Sequence, residues 1–119
     1  MIENIQRYIY VTLQKEFIHQ YKDAPDEVSY LRYPHRHIAH IKVTVEVFKN
    51  DREIEFILFK HFLEKELVLD KLTNNSCEQI AENIIQLVQE NYGSDRDIDV
   101  VVSEDNENGA ILSFRKGRG

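Results

Sequence analysis

The clearest periodicity in the chain runs through residues 37–48. There Ala39, Ile41, Val43, Val45 and Val47 alternate with His40, Lys42, Thr44 and Glu46. Successive side chains of a strand point to opposite faces, so this stretch predicts a strand with one apolar and one polar face. Residues 5–17 alternate in the same way through Ile5, Ile9, Val11, Leu13 and Phe17, predicting a preceding strand. Between them, residues 21–27 form a polar, proline-bearing loop with room for a short helix. After Asn50-Asp51 the apolar spacing becomes helical. Ile54, Ile57, Leu58, Phe62 and Leu69 predict a helix over 54–69 with that face inward. Asn74-Asn75-Ser76 opens a second helix, where Ser76 and Gln79 have the spacing of a capping box. Ile80, Ile84, Leu87 and Val88 form its stripe, and Gly93 suits its C-terminal cap. Ile98, Val100 and Val102 predict a third strand over 98–103. Asn108-Gly109 is a hairpin signal, with a fourth strand over 110–114.

This order, ββααββ, predicts an α+β domain: a four-stranded antiparallel sheet with two helices on one face. Such a sheet keeps open edges and one uncovered face, and assembly into an oligomeric ring would remove both. With 119 residues, 42% of them hydrophobic, the chain is expected to form one domain. A net charge of −6 argues against a binder of polymeric nucleic acid. The basic run Arg115-Lys116-Gly117-Arg118 is the exception, and residues 115–119 are expected to be a flexible tail. No apolar run approaches the roughly 18–20 residues of a membrane helix, and no secretory leader is visible. With a single cysteine, Cys77, a cytoplasmic protein is expected.

The five histidines carry the chemistry. His35 and His37 are two apart at the entrance to the second strand, so both imidazoles share a side. His19 continues the odd-numbered face of the first strand, and antiparallel pairing would bring it beside them. Three neutral imidazoles with one open position is the arrangement of a catalytic zinc site. An H-x-H pair also occurs by chance on surfaces, so spacing alone leaves solvated histidines as the alternative. His40 faces the polar side and His61 lies on the first helix, where each is expected to be solvated or locally bonded.

In order along nearly the whole chain, these residues resemble the 6-pyruvoyl- and 6-carboxytetrahydropterin synthases, which have the T-fold. Phe17-Ile18-His19 looks like the family's first metal histidine, and His35-Arg36-His37 looks like its H-x-H pair. Ile54-Glu55-Phe56 with Lys60 is similar to the opening of its first helix, and residues 76–83 to the start of its second. Val100-Val101-Val102-Ser103-Glu104 resembles the strand ending in the glutamate that grips the pterin ring, with Ala110 beyond it. The resemblance implies zinc on His19, His35 and His37, and Glu104 as the ligand-binding carboxylate. One carboxylate accepting a ring N–H and an adjacent exocyclic amine makes a charge-assisted bidentate pair. Glu104 as an ordinary turn residue in an acidic run is the competing reading.

The chain departs from the family at its acid–base groups. The synthases carry a cysteine shortly before the H-x-H pair, where this chain has Leu31. Their Asp-His pair after the first helix corresponds to Asp70-Lys71, which lacks the histidine. Three functions follow. The first is a binding protein for a purine-, pterin- or nucleotide-type ligand at subunit interfaces. Runs such as Leu-Arg-Tyr-Pro-His-Arg-His also resemble short phage-encoded proteins, which implies an anti-defence sponge for a nucleotide signal, with Arg32, Arg36 and Arg52 as candidate phosphate contacts. The second is a zinc-dependent synthase-like lyase using Tyr30, Tyr33, Asp70 or Lys71 for proton handling. The third is a structural or interaction module with a degenerate site.

Overall fold

A computed structural model of the chain describes residues 2–69 and 75–117. The elements follow in the order β1 (Arg7–His19), a 3₁₀ segment (Asp26–Arg32), β2 (His35–Val47), α1 (Phe56–Glu66), α2 (Cys77–Tyr92), β3 (Ile98–Glu104) and β4 (Asn108–Phe114). The four strands form one antiparallel sheet in the order β1-β2-β3-β4, so the fold is α+β as expected. The short helix allowed for in the first loop is the 3₁₀ segment, kinked at Val28.

Alternation decides the faces. Val11, Leu13 and Phe17 of β1, the odd positions from Ala39 to Val47 of β2, and Ile98, Val100 and Val102 of β3 are buried together. Onto this face pack Phe59 and Leu63 of α1 and Ile80, Ala81, Ile84 and Val88 of α2. α1 lies against β1, and α2 against β3 and β4. The second helix behaves as its stripe predicts, and Ser76 and Gln79 close the capping box in both directions.

The first helix is shorter than its pattern and turned differently. It stops at Glu66, leaving Leu69 beyond its end. Ile57 and Leu58, assigned inward by the spacing, are exposed, whereas Phe59 and Leu63 are fully buried. From Phe56 to Leu63 only Lys60 and His61 interrupt the apolar residues, so periodicity alone hardly fixes the inward face. Glu55 settles the start by accepting hydrogen bonds from the Ile57 and Leu58 amides.

The hairpin also differs from its signal. The turn is made by Asp105 and Asn106, both at positive φ (54° and 58°), with the Glu107 amide donating to the Glu104 carbonyl. Two positive-φ central residues make a type I′ turn. Gly109 lies within β4 instead. A Cβ there would collide with the Val102 carbonyl oxygen, so close strand contact is what requires the glycine.

The molecule is elongated, 57 × 29 × 24 Å, with a radius of gyration of 16.2 Å. A compact domain of this length would have about 13.5 Å. The cause is the β1–β2 ribbon. β1 and β2 pair from Arg7↔Val47 to His19↔His35, but β3 covers β2 only from Ala39 to Val45. The ribbon therefore runs past β3 at the end carrying His19, His35 and His37.

At the other end a polar clamp ties loops to the sheet. Arg96 donates to the carbonyls of Tyr92 and Glu46 and, at 2.6 Å, to Glu53. Glu53 also accepts from the Phe48 and Lys49 amides, which together with Arg96 hold its carboxyl below the usual range. Lys116 pairs with buried Glu46 and Arg115 with Asp99, both at 3.0 Å. Arg115 and Lys116, the first residues of the segment expected to be a flexible tail, thus each pair with an acidic side chain of the sheet. Among the described residues, no helix is long and apolar enough to cross a membrane.

Candidate metal centre

The register His19↔His35, beside Phe17↔His37, places three imidazoles on the helix-facing side at the end of the ribbon. Their ring centroids are 4.4, 4.7 and 4.7 Å apart and each pair is close to perpendicular, at 84°, 81° and 89°. One nitrogen from each gathers within 4.8 Å of the others.

Two of the rings have fixed tautomers. His35 Nδ1 lies 2.8 Å from the Tyr33 carbonyl oxygen, which only accepts, so Nδ1 donates. His37 Nδ1 lies 2.6 Å from Asp105 Oδ2, and a carboxylate likewise only accepts. In the neutral rings both Nε2 atoms therefore present lone pairs. Both are buried, and neither has a hydrogen-bond partner. His19 is buried and bonded to the Asn75 backbone. Burial lowers its pKa more than Glu104 raises it, and His35 and His37 add to the lowering.

Asp105 is the positioning residue that spacing did not disclose. Its left-handed backbone turns the carboxylate back onto β2, where Oδ1 accepts the Ile38 amide at 2.9 Å while Oδ2 holds His37. The Ile38 amide and then His37 hold its carboxyl below the usual range. The signal available was an Asp-Asn pair after a strand, residues that tolerate positive φ.

Glu104 stands beside the imidazoles of its own chain because Ala39↔Glu104 is the last β2–β3 pair. Its Oε2 lies 3.3 Å from His37 Nε2 and its Oε1 3.6 Å from His19 Nε2. The Cys77 thiol is 3.9 Å from the same carboxylate. Burial and then Glu104 push that thiol up to about 11, so it stays protonated at neutral pH.

The other predicted site residues fall elsewhere. Arg36 points to the opposite face and pairs with Glu16 at 2.8 Å. Arg32 donates to the Ala24 carbonyl and to Asp26. Arg52 lies in the turn after the far end of β2 and pairs with Asp51, so it is not brought to the imidazoles. Tyr30 and Tyr33 have exposed side chains, Tyr33 contributing only its carbonyl. Asp70 and Lys71 lie outside the described residues. His40 is half-buried on the opposite face and His61 is exposed. A cleft of about 400 Å³ lined by Phe17, Ile18, Leu69, Glu16 and Arg36 opens at this end of β1, and the Phe17 ring is 5.9 Å from His37. A larger cleft, about 650 Å³, includes Thr12, Gln14, His40, Lys42 and Ser103 and does not touch the three imidazoles.

No protein-family model matches the chain, and a search among curated proteins finds no match.

Proposed function

We propose that this chain is a zinc-binding T-fold-like protein that holds a planar purine- or pterin-type ring beside the metal, at contacts between copies of itself. The observation that carries the reading is the pair of buried, unpartnered Nε2 lone pairs on His35 and His37. An unpaired buried polar atom costs about 1–3 kcal/mol. Two of them converging, each with Nδ1 held by an acceptor, is the arrangement that orients histidines toward a cation. The donor set fits zinc: three imidazoles, one backed by a carboxylate and one by a backbone carbonyl. His19, His35 and His37 would hold the ion, which would supply a Lewis acid for a carbonyl or ring nitrogen of the guest.

The chain's own residues do the rest. Glu104 would accept the ring N–H and exocyclic amine, beside a cleft at the end of β1. Oligomerisation is supported by the projecting ribbon, by the outer edges of β1 and β4, and by exposed Tyr8, Tyr10, Ile38 and Ile111 on the uncovered face. A closed ring of subunits would satisfy all three.

Binding without conversion is favoured over synthase-like chemistry because Cys77 remains a thiol and no cysteine stands at Leu31. Sequestration of a nucleotide signal is the matching role. The three-imidazole site itself favours a second reading, a zinc-dependent lyase. Zinc analysis after purification without added metal, with equilibrium dialysis against guanine and pterin compounds, tests the first. About one zinc per chain and recovery of intact ligand are expected. Metal-free protein indifferent to every such ring would overturn it, and turnover of 7,8-dihydroneopterin triphosphate would establish the lyase.

A further inference from the structure

Glu104 stands against two of the three imidazoles, at 3.3 and 3.6 Å. With Nδ1 of His37 donating to Asp105, its Nε2 lies 3.3 Å from Glu104 Oε2, without hydrogen-bond geometry. When the ring is neutral both atoms are acceptors, a contact that a proton or a metal cation between them turns favourable. The second carboxylate oxygen faces the His19 nitrogen at 3.6 Å, so both oxygens address the cluster at once. Among the described residues the only other side chain at the carboxylate is the Cys77 thiol, 3.9 Å away and a weak donor. β3 ends here, and the pairing Ala39↔Glu104 holds the residue on the helix-facing side.

We propose that Glu104 is the fourth donor to the cation held by His19, His35 and His37, and that an entering planar ring takes this carboxylate away. The inference rests on the zinc-and-ring reading above and adds a dependence between its two halves. Without a guest the site is closed by protein ligands, as structural zinc sites are. With a guest, Glu104 turns to the ring's N–H donors and the fourth position opens only then. One carboxylate cannot serve both partners fully, so ring and carboxylate ligation oppose each other.

Cobalt(II) substituted into the 119-residue chain reports this through its visible absorption, which follows the ligand set. Glu104→Gln should bind cobalt with a changed spectrum and hold zinc at least about 10-fold more weakly in a chelator competition, as loss of even a supporting carboxylate does. Addition of a pterin that dialysis shows to bind should move the wild-type spectrum toward that of Glu104→Gln and leave the variant unchanged. Glu104→Asp, which keeps the charge but shortens the reach, should behave like Glu104→Gln and covers the case in which one variant fails to fold. Identical wild-type and variant spectra with zinc affinities within 2-fold would overturn Glu104 as a ligand. A wild-type spectrum indifferent to a bound pterin would overturn the exchange. Failure of the wild type to bind cobalt at all would instead remove the metal reading on which both depend.

Discussion

Two polar clusters occupy opposite ends of the sheet, and they are built on opposite principles. In the clamp around Arg96, donors meet acceptors: three guanidinium nitrogens, two amides and a lysine all find carbonyls or carboxylates. Around His37 the bonding is incomplete. The Nε2 atoms of His35 and His37 are buried without hydrogen-bond partners, and the Glu104 carboxylate stands 3.3 Å from the latter. The first cluster closes loops onto the sheet and is complete as it stands. The second is costly in the isolated chain, and a fold retains such a cost where something binds. Completeness of hydrogen bonding therefore separates the two clusters, although both mix acidic and basic side chains, and on the proposed reading the incomplete one is the binding site.

The largest expected difference between the clusters is their response to zinc. At zinc about 1,000-fold above its dissociation constant, stabilisation of about 4 kcal/mol, or roughly 15 °C in Tm by calorimetry, is expected. His37→Ala should abolish this shift and leave the metal-free Tm nearly unchanged. A large loss of metal-free stability would mean that the imidazoles serve the fold after all. Next comes Arg96→Leu, which leaves Glu53 without its cation and is expected to cost about 3 kcal/mol by urea unfolding. Zinc affinity should stay within 2-fold; a larger change would show that the two ends are coupled. Third, Asp105→Asn should weaken zinc binding by about 10–100-fold, because the ring of His37 loses its carboxylate orienter. An unaltered dissociation constant would reduce Asp105 to a turn residue.

The smallest effect concerns acid. The clamp holds the Glu53 carboxyl below its ordinary value of 4.5. The unfolded chain therefore takes up that proton first as pH falls, so stability from this group is fully present above about 4.5 and is lost below it. Glu53→Gln should flatten that part of the acid limb in denaturation measured from pH 6 to 3. An unchanged limb would place the acid sensitivity in other carboxylates.

Particular residues show how far the chain could be read without its fold. Alternation alone puts His35 and His37 on one side of one strand, and Ser76 with Gln79 marks the start of α2 to the residue. These are contacts between near neighbours, governed by backbone period and by bonds spanning three residues. Glu104 is implied as a ligand-binding carboxylate only through resemblance, and the structure places it beside the imidazoles of its own chain. The inward face of α1 was misread because apolar residues surround most of its first two turns, so the choice falls to whichever ridge fits β1.

What the sequence by itself determined is the set of elements, the alternating faces and the chemical types available at the end of the β1–β2 ribbon. Only the tertiary structure decided that His19 stands opposite His35, that a left-handed Asp105 bonds to a histidine 68 residues away, and that Arg36 and Arg52 pair with acidic residues away from the imidazoles of their own chain. The division has a physical reason. Periodicity and capping are local energies present in any short segment, whereas strand register and the aim of a turn residue depend on packing between segments distant in the chain.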